Sequence, residues 1–198
     1  MQKHPLYCLA KEGEPNAAAN LIEELFPSYT LFRKFEGYVC PVMRSSGNAI
    51  PLAFAKSFCP LAAEINSDII LQNFRTGNSL VSRLFYSPEY AGKVSQGNYI
   101  IVDDVFTTGK TLISLKNYIE ANGGNVIACV TIGSGRWGLS FQPDRFTLNL
   151  LLNTFKDINS YFDIASLTIP MIRFMMRYDS LWSLQMSYSK QISEQGIF

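Results

Sequence analysis

Two neighbouring carboxylates, Asp103 and Asp104, stand just before Thr107-Thr108-Gly109-Lys110-Thr111, a run of small and hydroxylated residues. That order of residue types suits one kind of chemistry. A glycine/threonine turn that opens a helix gathers backbone N–H groups at the positive end of the helix dipole, an arrangement that binds phosphate. Two carboxylates cannot hold a phosphate, because like charges repel. They can hold sugar hydroxyls, or the divalent cation that accompanies a phosphorylated sugar. Acids and turn together point to a phosphorylated ribose. A Walker A loop is excluded, because its first glycine would fall at Asp104, so Lys110 is not a P-loop lysine. The plainer alternative is a βα turn whose hydroxyls only cap the helix. Two acids so close to the turn weigh against it.

The flanking pattern predicts the elements that hold these residues. Tyr99-Ile100-Ile101-Val102 is a short apolar run between polar residues, as in a strand buried on both faces. Leu112, Leu115 and Ile119 follow at helical spacing, and Gly123-Gly124 stops that helix. A second apolar run, Val126 to Ile132, completes a βαβ unit, whose strands should be parallel with a right-handed crossover. Upstream, Tyr38 to Met43 reads as a strand running into Arg44-Ser45-Ser46-Gly47, with a helix starting near Pro51. This is a second candidate anion-binding turn, to which Arg44 adds a fixed charge and a forked donor. Taken alone it reads first as an ordinary βα turn.

The stretch Val102-Asp103-Asp104-Val105-Phe106-Thr107-Thr108-Gly109-Lys110-Thr111 resembles the phosphoribosyl-pyrophosphate (PRPP) signature of type I phosphoribosyltransferases. Arg44-Ser45-Ser46-Gly47 resembles that family's pyrophosphate loop. The resemblance implies an α/β fold, a parallel-sheet-centred, Rossmann-like domain with helices on both faces and a helical C-terminal appendage. It implies transfer of ribose 5-phosphate from PRPP to a nitrogenous base, with release of pyrophosphate and dependence on Mg²⁺. Asp103, Asp104 and Arg44 would be the catalytic residues. The two acids would also hold the metal, directly or through water. Val105, Phe106, Thr107, Thr108, Gly109, Lys110 and Thr111 would hold the 5′-phosphate, and Ser45, Ser46 and Gly47 the pyrophosphate. One departure is plain: members acting on 6-oxopurines carry aspartate where this chain has Thr107, and threonine is no general base near neutral pH. The alternative is a non-catalytic protein of the same fold that binds PRPP or a nucleotide and regulates.

Composition narrows the partners. The chain has 198 residues, net charge +1, four scattered cysteines and a single histidine. No basic stripe suggests nucleic acid. No CxxC suggests zinc, and no apolar run is long enough for a membrane span. The expectation is a cytoplasmic protein with reduced thiols; the resemblance implies small-molecule partners, PRPP and a nucleobase-like compound, and an exposed apolar segment would give a homodimer contact. Residues 1–138 read as the core, and 139–198, apolar and almost free of glycine, as a helical extension of the same globular unit, a candidate hood or dimer element. In chain order, Leu6 to Leu9 reads as a short strand, and a helix begins at Pro15 with Ala18, Leu21, Ile22 and Leu25 on one face. Tyr29 to Phe35 reads as a strand, Leu61 to Ile65 as resumed helix and Asp68 to Phe74 as a strand. Arg75 to Gly97 reads as a long loop in which Arg75, Arg83 and Lys93 are either basic substrate contacts or solvated surface. Arg136 and Trp137 lie in a glycine-rich turn. Helices are expected over Arg145 to Phe155 and from Met171, with Ser180 a further N-cap and Met171, Phe174 and Met175 a packing stripe.

Overall fold

The computed structural model describes residues 4–26, 34–45, 47–60, 62–73, 75, 79–134 and 143–194. They fall into two compact units: Met1–Asn73 with Pro88–Phe106 and Ser114–Gly133, and Phe74–Ser87 with Thr107–Ile113 and Ser134–Phe198. Each unit has its own apolar core.

The first unit is built on a sheet of four strands in the order β3-β1-β6-β7. These are β1 (Gly37–Pro41), β3 (Ala63–Ile65), β6 (Gly97–Phe106) and β7 (Gly124–Ser134). β1 runs parallel to β3 and to β6, with Val39 opposite Ile100 and Cys40 opposite Ile101. β6 and β7 are joined through helix α5 (Lys110–Ala121), the crossover that a parallel pair requires. Period-two alternation divides the side chains of β6. Ile100 and Val102 join Val39 in the core against helices α2 (Pro15–Leu25) and α3 (Ile50–Phe58). α2 buries Ala17, Ala18, Leu21 and Ile22, one face of a 3.6-residue repeat. Tyr99 and Ile101 point the other way. A Cβ on Gly124 would lie 2.5 Å from Ile119 of α5 and 2.9 Å from Tyr99. Gly123, at φ +92°, supplies the left-handed residue that ends α5. A small second sheet joins β2 (Met43–Arg44), β4 (Ile70–Leu71) and β5 (Tyr90–Ala91).

The second unit packs α4 (Leu80–Phe85), α6 (Arg145–Thr154), α7 (Ile169–Met175) and α8 (Leu181–Glu194) around Val81, Leu84, Leu151, Met171, Met175 and Leu184. Ser79 caps α4 by accepting from the Ser82 N–H at 3.0 Å, and its hydroxyl donates to Gln191 of α8 at 2.6 Å. The Met171-Phe174-Met175 stripe is core packing, as its spacing indicates. Ser180 accepts from the Ser183 N–H ahead of α8.

Several expectations need correction. Leu6 to Leu9 is not a strand but part of helix α1 (Pro5–Lys11), which proline opens at N1 and which buries Tyr7 and Ala10 three residues apart. The resumed helix at Leu61 to Ile65 is instead the edge strand β3, paired with β1; Leu61 lies outside the described residues. The long strand Asp68 to Phe74 reduces to β4. The Arg75–Gly97 loop contains α4 and β5, because Ser79 is a true N-cap and Val81 and Leu84 supply helical periodicity. Tyr38 to Met43 is interrupted at Val42, dividing β1 from β2. Most of the expected strand Tyr29 to Phe35, and the Arg136-Trp137 turn, lie outside the described residues.

Candidate sugar-phosphate site

Asp103 and Asp104 lie near the carboxyl end of β6, each only 5% exposed. Burial of two adjacent acids demands compensation, and helix α1 provides it. Lys11 Nζ forms an ion pair with Asp104 Oδ2, and the Tyr7 hydroxyl donates to the same oxygen at 3.4 Å. Tyr7 and Lys11 are one helical turn apart, so α1 presents both to one carboxylate. Asp103 instead accepts the Asp104 backbone N–H on Oδ1 at 2.9 Å. The two acids therefore titrate in opposite directions. Burial, and then the charge of Asp104, push the Asp103 carboxyl up; Arg44 pulls weakly the other way. For Asp104 burial also opposes ionisation, but the Lys11 ammonium and its hydrogen bond hold that carboxyl below the usual range. Burial, reinforced by Asp104, pushes the Tyr7 phenol up to about 12, so it stays a donor.

The same helix is fastened to the Arg44 loop. Asn48 N–H donates to Lys11 O and Ala49 N–H to Ala10 O, both at 2.8 Å. A Cβ on Gly47 would lie 3.1 Å from Lys11 O, so the two backbones are close neighbours. Ser45 and Gly47 are exposed and Arg44 is half-buried; Ser46 lies outside the described residues. Asn48 holds φ +51°, a left-handed conformation uncommon for a residue other than glycine.

The second unit holds the turn that continues the chain. Gly109, at φ +75°, precedes α5, and its carbonyl accepts the Ile113 N–H at 2.9 Å. Arg83 Nη1 donates to Thr107 Oγ1 at 3.0 Å, and the Thr168 hydroxyl donates to the Thr108 carbonyl. Lys110 is buried and donates to Ser166 Oγ at 3.2 Å. Burial lowers its pKa, and the charge of Asp163 partly offsets this. The lysine of the motif is thus committed to packing inside its own unit. Val105 and Thr111 are half-buried, and Phe106 is buried.

Sequence reasoning singled out Asp103, Asp104 and Arg44, whose charges act on one another in the first unit. It missed Tyr7, Lys11, Asn48, Ser166 and Thr168. Only Tyr7 and Lys11 carried a readable signal: their i,i+4 spacing behind a proline at N1.

Among the described residues no cluster of three or more histidine, cysteine or acidic side chains could by itself cage a metal. Two adjacent carboxylates do fit Mg²⁺ in its usual mode, held by one or two acids and completed by ligand phosphate oxygens and water. No helix among the described residues is long and apolar enough to cross a membrane.

No family model matches the chain. Over 158 residues it is 34% identical to protein TraN of Escherichia coli, covering 72% of this chain and 35% of that protein. It is also 34% identical over 129 residues to an uncharacterised protein of Haemophilus influenzae, covering 59% of this chain and 29% of that one. The chain thus spans about a third of the length of these curated relatives. Among solved structures it is similar to orotate phosphoribosyltransferase from Aeropyrum pernix, at 15% identity and a TM-score of 0.38, over 62% of this chain and 73% of that one.

Proposed function

We propose that the protein binds PRPP and acts as a Mg²⁺-dependent phosphoribosyltransferase, passing ribose 5-phosphate to a nitrogenous base and releasing pyrophosphate. One observation carries this reading: a buried acidic pair near the end of a central parallel strand, followed along the chain by a glycine turn that opens a helix. Carboxyl ends of parallel strands are where α/β sheets take ligands. In this mechanism the anionic Asp104 favours the positive charge that develops on the ribose as pyrophosphate departs. Asp103 holds a ribose hydroxyl beside it. Arg44 offers a fixed cation to the leaving pyrophosphate. Bound Mg²⁺ would supply further neutralisation of the diphosphate.

The test is calorimetric titration of PRPP with Mg²⁺, followed by a pyrophosphate-release assay across a panel of nucleobases. Asp104→Asn should weaken PRPP binding at least about tenfold, or ~1.4 kcal/mol. A wild-type protein that binds neither PRPP nor ribose 5-phosphate would sink the proposal.

A second reading, a PRPP- or nucleotide-binding regulator without turnover, draws on Thr107. Its hydroxyl accepts from Arg83, and threonine is no general base near neutral pH. Tight PRPP binding with no pyrophosphate release from any base would favour this reading.

A further inference from the structure

Asn48 is expensive for the fold. It adopts φ +51°, and both Nδ2 and Oδ1 are shielded from water with no hydrogen-bond partner among the described residues. Glycine would satisfy the backbone there without strain and without an orphaned amide. Buried polar atoms are nearly always paired, and strained residues concentrate where ligands bind. A second orphan stands at the other end of the same loop: Arg44 Nε is buried and unpartnered among the described residues. The loop is tied to the acidic pair from both directions. Asn48 N–H holds the Lys11 carbonyl, Lys11 holds Asp104, and the charge of Arg44 acts on Asp103.

The unused groups define what would satisfy them. Arg44 Nε is a donor, which suits an anionic oxygen. The Asn48 amide is a donor and an acceptor side by side. Phosphate and diphosphate oxygens accept only, so they leave Oδ1 unmatched; a hydroxyl both donates and accepts. We propose that Asn48 is a ligand-binding residue that recognises a sugar hydroxyl next to a phosphate oxygen held at Arg44 Nε. The inference rests on the sugar-phosphate reading above and adds to it a residue that separates phosphorylated sugars from bare diphosphate.

Calorimetry with PRPP, ribose 5-phosphate and inorganic pyrophosphate, each with Mg²⁺, tests this on wild type and on Asn48→Gly, alongside thermal midpoints. Asn48→Gly should keep or raise the midpoint. It should weaken PRPP and ribose 5-phosphate about tenfold or more while changing pyrophosphate less than about twofold. Asn48→Asp tolerates the same backbone conformation, loses the donor and adds repulsion, and should lose all three ligands; it also serves if the glycine variant folds poorly. Unchanged sugar-phosphate affinity in Asn48→Gly, with wild-type binding intact, overturns this inference alone. Equal losses for pyrophosphate and the sugar phosphates overturn the hydroxyl assignment. A wild type that binds none of the three overturns the sugar-phosphate reading, and this inference with it.

Discussion

At the scale of single residues, the acidic pair is governed by what α1 brings to it. Lys11→Met leaves Asp104 buried without its cation. Removing one partner of a fully buried pair costs about 3–5 kcal/mol. Lys11 is 37% exposed, so about 1–2 kcal/mol is expected from urea unfolding. Tyr7→Phe, which removes only a long hydrogen bond, should cost less than about 1 kcal/mol. The pH dependence has a definite sign. Folded Asp103 keeps a proton that the unfolded chain gives up near pH 4, so its contribution to stability is full below that value. The contribution drains as pH rises toward about 8. Asp104, held low, contributes in the opposite direction and loses its contribution as pH falls into the acid range. Without added divalent cation, Asp103→Asn should flatten the decline in thermal midpoint between about pH 4 and 8; an unaltered profile would refute the assignment. The acids were legible in the sequence because their chemistry depends on their own order along the chain. Their partners were legible only in part: the i,i+4 spacing of Tyr7 and Lys11 behind Pro5 places both on one face of a helix, but that this face meets Asp104 is a tertiary contact with no local trace.

At the scale of elements, most of β6, α5 and β7 could be read in advance. A strand buried on both faces and a helix with an apolar stripe each carry a period, and glycine marks the stop between them. The errors cluster where elements are two to seven residues long. In α1 the apolar run Leu6 to Leu9 suits either period, and only Pro5 favours a helix. In β3 the pairing with β1 decides the matter, and pairing leaves no local trace. α4 was hidden in a polar stretch although Ser79 announced it; Ser79→Ala should lower stability by about 1 kcal/mol through loss of the cap. The small sheet is fixed by Gly92, which sits at φ +140° and carries no Cβ. Any Cβ there would lie 2.1 Å from the Asp68 carbonyl oxygen. Gly92→Ala should cost about 2 kcal/mol or more and detach β5, visible as fast amide exchange at Ala91.

At the scale of the whole molecule, two apolar clusters share no residue among those the structure describes. Leu21 anchors the first and Leu184 the second; they are 1% and 0% exposed. Either leucine replaced by alanine should cost about 2–5 kcal/mol. The double variant should equal the sum within about 0.5 kcal/mol, because the two leucines belong to different clusters of the described residues; a larger deviation would refute that independence. The α/β class was readable from alternating strand and helix patterns. The division into two clusters was not, since residues 74–87 and 107–113 join the second unit from within stretches assigned to the first.

The thiol of Cys40 supplies a clock for the first unit. It is fully buried in the middle of β1, opposite Ile101 on the strand that carries the acids, and burial pushes its pKa up to about 12. An alkylating reagent reaches it only when the sheet opens, whereas Cys8 lies on an exposed position. If opening releases the ligand, saturation at a hundred times the Kd should slow modification of Cys40 about a hundredfold. Mass spectrometry of that one peptide would then rank candidate ligands without any assay of turnover.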